Sequence, residues 1–160
     1  MKLNSGANVT LNPGIYYLDG NSNGGLDVAA QATLTGTGVT LVFTGSGSDW
    51  ATGTINGGSN VNLSAPTTGP TAGMVFFGDR NMLNGTAFNL NGGSSQVFGG
   101  AIYLPKGDVS INGASASGDP NACTQLVADT IKFTGNANFA VNCAGKGTKS
   151  IGSKTAALVE

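Results

Sequence analysis

The sequence contains no histidine, and charged residues make up only 9% of its 160 positions. Without histidine, a general base would have to be an aspartate, the single Glu160, a lysine or a tyrosine. Two cysteines alone cannot supply the four nitrogen or sulfur ligands of a structural zinc site. The seven basic residues are scattered among eight acidic ones, so no basic stripe is present to neutralise several phosphates. The composition therefore argues against zinc and nucleic-acid binding.

Long apolar runs are also missing. The longest are VTLVF (39–43) and MVFF (74–77), far short of the roughly 20 residues with which a helix spans a bilayer. No signal peptide opens the chain, which enters a strand-like pattern directly. We expect that this segment does not span a membrane and that it belongs to a longer protein.

Glycine, asparagine, threonine and serine take the place of the missing charge. There are 27 glycines, while hydrophobic residues hold at 39%, which is not the low-hydrophobicity, high-charge signature of disorder. A chain of this length can form one domain with a real core. The composition is typical of a β protein with short strands, many turns and a neutral surface.

A strand–turn–strand unit recurs along the chain and predicts its fold. Counting from Ile15, equivalent runs begin at Val39, Met74, Ala101 and Gln125, at intervals of 24, 35, 27 and 24 residues. Self-similarity at this spacing indicates a solenoid with insertions in some coils. We predict one domain over residues 1–160, a right-handed parallel β-helix. An antiparallel β-sandwich is the alternative that the same alternation permits.

Two details of the repeat can be checked against coordinates. Polar glycine turns end three strand runs, TINGG (54–58), NLNGG (89–93) and VSING (109–113). Stacked apolar side chains would fill a continuous interior, and we predict that the equivalent positions include Leu11, Leu34 and Leu63.

The stretch DGNSNGGLDVAA (Asp19–Ala30) begins like a calcium-binding EF-hand loop. Such a loop needs a bidentate carboxylate at its twelfth position, where this chain has Ala30. The flanking segments are strand-like rather than helical. We therefore predict a corner turn that binds calcium weakly at best, and no metal or cofactor site in the chain.

Candidate catalytic residues are few and scattered. Asp79 and Arg80 form the tightest charge cluster, which we interpret as a structural ion pair or strand-end cap rather than a binding site. Asp129 and Lys132 are three residues apart in a strand, so they should lie on opposite faces and act independently. The sequence predicts a protein that is not an enzyme.

Threonine and aromatic residues offer a different kind of site. Thr33, Thr35 and Thr37 alternate, and stacked coils could form a flat threonine array of the sort that ice-binding β-solenoids present. The other coils do not repeat T-x-T, which favours ordinary strand-surface threonines. A glycan-binding face could instead use Tyr16, Tyr17 and Trp50.

The two cysteines, Cys123 and Cys143, are either bridged or inert core thiols. The secreted type of composition favours a disulfide. A loop of this length would stabilise the fold by about 3 kcal/mol in the chain-entropy model. A disulfide also implies an oxidising compartment.

Several segments, taken in their order along nearly the whole chain, resemble sequences of one bacterial family. They are SGANVTLNPGIYYLDG, ATLTGTGVTLVFTG, NVNLSAPTTGPTAGMVFFGDRN, GAIYLPKGDVSINGAS and ACTQLVADTIKFTGNA, followed by the late cysteine and the final ALVE. This sequence is similar to the C-terminal region of TadG-like proteins of the tight-adherence (Tad/Flp) pilus-assembly system.

The resemblance implies an extracytoplasmic segment, in the periplasm or at the cell surface, of a protein anchored by an N-terminal membrane helix. It also implies a role in pilus assembly or anchoring without established enzymatic activity, and pilus or envelope proteins as partners. We therefore predict a non-catalytic structural or interaction module of the bacterial cell envelope that contributes to adherence. The alternative is a secreted ice-binding or glycan-binding β-solenoid.

Overall fold

The computed structural model describes residues 1–22, 24–92, 96–113, 116–117, 124–135 and 138–139. This part of the chain forms strands and no helix. The strands are β1 (Lys2–Leu3), β2 (Asn8–Leu11), β3 (Gly14–Asp19), β4 (Gly25–Val28), β5 (Thr33–Thr37), β6 (Val39–Ser46), β7 (Asp49–Trp50), β8 (Thr52–Ile55), β9 (Asn60–Ser64), β10 (Met74–Gly78), β11 (Thr86–Asn91), β12 (Gln96–Asn112), β13 (Ala116–Ser117), β14 (Thr124–Thr134) and β15 (Asn138–Phe139).

The strands stack in parallel as a β-solenoid of about five turns. Face 1 consists of β2, β5, β9 and the start of β12. Face 2 consists of β3, β6, β10, the middle of β12 and the start of β14. Face 3 consists of β1, β4, β8, β11 and the ends of β12 and β14. The predicted parallel solenoid is confirmed, and these ladders exclude the antiparallel sandwich.

The predicted coil spacing agrees closely with the observed register. Met74 aligns with Ala101, and Ala101 aligns with Gln125. In the first coil the prediction is one residue off, because Ile15 aligns with Thr40 rather than with Val39. Coil length can therefore be read from the sequence, although the exact pairing cannot.

The predicted stack of three leucines is correct for two of them. Leu11 and Leu63 share a column through Gly36, whereas Leu34 lies two positions away and aligns with Val9 and Val61. A Cβ at Gly36 would lie 2.9 Å from Val39 Cγ2 and 3.2 Å from the Leu11 Cβ. The buried Val39 side chain at the next corner takes this space, so a leucine does not fit there.

The asparagines of the three polar glycine turns lie at the same corner of successive coils. Ile55 aligns with Leu90, and Leu90 with Ile111, which stacks the asparagines that follow them. Asn112 Nδ2 donates a hydrogen bond of 2.7 Å to Asn91 Oδ1. Paired amides of this kind satisfy each other between coils, so the repeated turn adds an inter-coil contact.

The core is one continuous column of inward side chains through the coils. Four buried phenylalanines fill its middle, and Phe43 meets Phe76 and Phe88 edge-to-face at centroid distances of 5.4 and 5.1 Å. Phe98 packs on Phe76 in the same way, at 5.2 Å. Burial of each such ring contributes about 1.5–3 kcal/mol. Aromatic burial therefore stabilises the second to fourth coils most.

The inward columns continue to the last described coil. Val109 aligns with Ile131, and Ile111 aligns with Phe133. These two terminal side chains are 45% and 49% exposed. Within the described residues, no helix is long and apolar enough to cross a membrane.

Candidate interaction surface

An apolar row runs along the outside of face 2. Its members align from coil to coil in the order Tyr17, Val42, Phe77, Tyr103 and Val127. We call these five residues the apolar ladder. Tyr17 is 71% exposed, and the other four are partly exposed. One coil after another thus presents an apolar side chain to solvent at the same position.

Strand alternation explains how the apolar ladder arises. Successive side chains point to opposite faces of a strand, so Phe76 and Ile102 point into the core while Phe77 and Tyr103 point out. Phe76 is 1% exposed and Ile102 is fully buried. The inward side chains already fill the interior, so the apolar ladder is not needed to form the hydrophobic core.

The centre of the apolar ladder is an ordered aromatic platform. Phe77 and Tyr103 stack with ring centroids 5.6 Å apart and ring planes 23° apart. The Arg80 guanidinium carbon lies 5.6 Å from the centroid of the Tyr103 ring, within range of a cation–π contact. Arg80 therefore adds a positive charge beside the Tyr103 ring of the platform.

Asp79 has different partners from its neighbour Arg80. Its Oδ1 accepts a hydrogen bond of 2.9 Å from the Asn81 backbone N–H, and its Oδ2 accepts one of 3.3 Å from Thr44 Oγ1. These contacts make Asp79 a cap at the end of β10. No ion pair joins Asp79 and Arg80; among the described residues, Lys2 and Asp27 form an ion pair at 3.6 Å.

Within the Asp19–Ala30 stretch, a turn at Asn21 and Ser22 follows β3, and β4 occupies Gly25–Val28, so the predicted corner turn covers only the first part. Asp19 ends β3 and its Oδ1 accepts a hydrogen bond of 3.0 Å from the Asn21 backbone. Asp27 lies in β4, where it pairs with Lys2, so the two carboxylates belong to different elements. The weak calcium affinity stays a prediction, which calorimetric titration of the protein and of Asp19→Ala tests.

The aromatic residues singled out in the sequence do not form one surface. Tyr16 is partly buried against the core, and its hydroxyl donates a 2.9 Å hydrogen bond to the Asn12 carbonyl. Tyr17 begins the apolar ladder. Trp50 lies in the hairpin that pairs β6 with β7 in antiparallel fashion. Only Tyr17 belongs to the face 2 exterior.

The alternating threonines lie on the outside of face 1. Thr33 aligns with Asn8 and Asn60, and Thr35 aligns with Thr10 and Asn62. The Thr10 and Thr35 hydroxyl oxygens are 3.0 Å apart and share a hydrogen bond. At three of these four aligned positions the neighbouring coils thus have asparagine where a pure threonine array would have threonine.

The remaining predicted residues are not brought together. Asp129 and Lys132 both lie in β14 and are exposed, and Lys132 aligns with Ser110. In the described ranges, no group of three or more aspartate, glutamate, histidine or cysteine residues could hold a metal ion. Cys123, Cys143 and Glu160 lie outside the described residues, so their pairing and environment stay predictions.

The apolar ladder itself was not recognised from the sequence. The runs IYYL, VTLVF, MVFF and AIYL are apolar at both alternating positions, which is also typical of strands buried on both sides. The spacing of 27 residues that pairs Met74 with Ala101 would pair Phe77 with Leu104, and a register shift between Met74 and Phe76 brings Phe77 opposite Tyr103 instead. Comparison with protein-family models, curated proteins and solved structures gives no match for this chain.

Proposed function

We propose that this chain is a non-catalytic interaction module of the bacterial cell envelope, which docks a protein partner on the apolar ladder. The single observation that carries the proposal is an ordered apolar row on the outside of a sheet whose interior is already filled. Contiguous exposed apolar surface on a folded protein marks a site of association.

The geometry of the apolar ladder suits an elongated contact. Adjacent parallel strands are spaced about 4.8 Å apart, so five rungs extend over about 19 Å. A partner that lays a strand or helix along this row would bury aliphatic side chains against Phe77 and Tyr103. Aromatic residues and arginine are the residue types enriched among binding hot spots, and Arg80 lies beside the Tyr103 ring.

The cellular setting comes from the resemblance to the C-terminal region of TadG-like proteins. It supports an extracytoplasmic location, in the periplasm or at the surface, and a longer chain with an N-terminal membrane helix. In that setting the solenoid is a stiff spacer that carries the apolar ladder to pilus or envelope proteins. The low charge of the chain leaves little repulsion against close packing with such a partner.

The test is complementation of a tight-adherence strain that lacks its own copy. The double variant Phe77→Ser/Tyr103→Ser should lose surface piliation and adherence, while the matched face 1 variant Thr35→Ser/Asn62→Ser keeps both. Circular dichroism and thermal melting of each purified variant establish that it folds. Normal piliation with a folded ladder variant would contradict the docking proposal.

A second measurement addresses catalysis. Purified protein should release no sugars from bacterial or host polysaccharides, and Asp79→Ala and Asp129→Ala should complement normally if they fold. Hydrolysis that either substitution abolishes would show that the protein is an enzyme instead.

The exterior of face 1 supports ice binding as a second candidate. Thr33, Thr35 and Thr37 alternate with the inward Leu34 and Gly36, so the three threonines lie outward on one strand. Thermal hysteresis in a freezing assay, lost in Thr35→Tyr, would establish this function. Absence of hysteresis in the folded protein would remove it.

A further inference from the structure

A small cleft lies away from the apolar ladder, between insertions of two successive coils. One wall is the hairpin of the second coil, with Ser48 and Trp50, and continues into Thr52. The other wall is the loop that leads into β11, with Leu83, Asn84 and Thr86. The cleft has a volume of about 240 Å³ and is shallow and broadly open to solvent.

Both walls are held in place by backbone contacts. Trp50 Nε1 donates a 3.1 Å hydrogen bond to the Gly47 carbonyl, which fixes the indole ring. A Cβ at Gly45 would lie 2.0 Å from the Asp49 carbonyl oxygen, so the hairpin closes only over glycine. On the opposite wall, Thr86 Oγ1 donates a 2.7 Å hydrogen bond to the Leu83 carbonyl.

The lining combines an aromatic ring with polar groups that have no partner. None of the lining residues is charged. Within the described residues, Asn84 and Thr52 are exposed to solvent, and the Asn84 amide and the Thr52 hydroxyl have no hydrogen-bond partner in the protein. An amide offers two donors and an acceptor, and a hydroxyl offers one donor and two lone pairs. The two groups are therefore available to a ligand.

We propose that this cleft binds one neutral sugar residue of a glycan. A pyranose has an apolar face of C–H groups, which would lie on the Trp50 ring, and hydroxyls that would exchange hydrogen bonds with Asn84 and Thr52. An anionic ligand would find no cation in the lining, and an aliphatic one would make no use of the hydrogen-bonding groups of Asn84 and Thr52. Pockets for drug-sized ligands have volumes of about 300–1,000 Å³. The cleft is smaller than this range, so it suits a single sugar ring.

Trp50 is the single tryptophan of the chain, so its fluorescence reports on this cleft alone. Titration with glucose, galactose, mannose and N-acetylglucosamine should give a saturable change for at least one sugar, with a Kd of about 1 mM or weaker, as few atoms make contact. Calorimetry or ligand-observed NMR then measures variants without relying on the fluorophore. Asn84→Ala should weaken binding by about 3- to 10-fold, and Trp50→Ala should abolish it.

Two control variants separate this proposal from the function of the apolar ladder. Asn62→Ala on face 1 and Phe77→Ser on face 2 should bind the sugar like the original protein. No saturable change with any of the four sugars would overturn the proposal, as would unaltered affinity in a folded Trp50→Ala variant. Loss of binding in Phe77→Ser with retention in Asn84→Ala would likewise overturn it and move the site to face 2.

Discussion

The outer surfaces of face 1 and face 2 differ, although the same coils build both. Face 1 presents asparagine and threonine, with Thr10 and Thr35 joined by a hydrogen bond, whereas face 2 presents the apolar ladder with its stacked Phe77 and Tyr103. Both faces have filled interiors and parallel ladders. Polar exteriors are thus compatible with this fold, so the apolar exterior of face 2 is not a requirement of folding.

The largest expected effect is a loss of stability on replacing Phe76, which is compared with the loss on replacing its neighbour Phe77. Phe76→Ala removes a ring that packs between Phe43 and Phe98 and should lower the free energy of unfolding by about 3–5 kcal/mol. Phe77→Ala removes only the exposed stack on Tyr103 and should cost about 1 kcal/mol. Denaturant unfolding of both variants measures the difference. Equal losses would show that the apolar ladder is part of the structural core.

The predicted disulfide should have the next largest effect. If Cys123 and Cys143 are bridged, reduction should lower stability by about 3 kcal/mol, which corresponds to roughly 6–12 °C in melting temperature. Non-reducing mass spectrometry should find no free thiol. Labelling of both cysteines in the unfolded, unreduced protein would contradict the bridge. The double variant Cys123→Ala/Cys143→Ala, insensitive to reductant, is the control.

Thr40 on face 2 and Thr35 on face 1 both occupy outward positions of their strands and allow a direct comparison of the two exteriors. On face 2, Thr40 is fully buried beneath the segment 65–73, and its hydroxyl lies 2.9 Å from Thr71 Oγ1 and 2.8 Å from the Met74 carbonyl oxygen. Thr40→Val should cost about 1–3 kcal/mol because these groups lose their partner. Thr35→Val on face 1 should cost no more than about 0.5 kcal/mol. Similar thermal shifts in the two variants would contradict this assignment.

The smallest expected effect concerns face 3. The ion pair of Lys2 and Asp27 has side chains that are 73% and 45% exposed, and such pairs contribute about 0–1 kcal/mol. Asp27→Asn should therefore change the melting temperature by about 4 °C or less, and added salt should reduce the difference further. A larger loss would mean that β1 depends on this pair to remain attached to β4.

Features that repeat from coil to coil were predictable, because each repetition is a separate piece of evidence. The alignment of Met74, Ala101 and Gln125 and the stacked asparagine turns follow from spacing alone. The displacement of Leu34 depends on the Val39 side chain at a corner, which no local pattern records. Phe77 and Tyr103 escaped recognition because a strand apolar at both alternating positions does not reveal which of its sides is covered.

The segment 65–73 has a consequence for protein engineering. It leaves the solenoid at the corner between face 1 and face 2, where the Gly73 N–H bonds to the Pro66 carbonyl at 2.8 Å and closes its base. Its tip, from Thr67 to Pro70, is exposed. Each doubling of loop length costs only about 0.6 kcal/mol. An epitope or affinity tag inserted between Thr68 and Gly69 would thus be displayed on a rigid shaft with every coil intact, which makes this corner a ready grafting point.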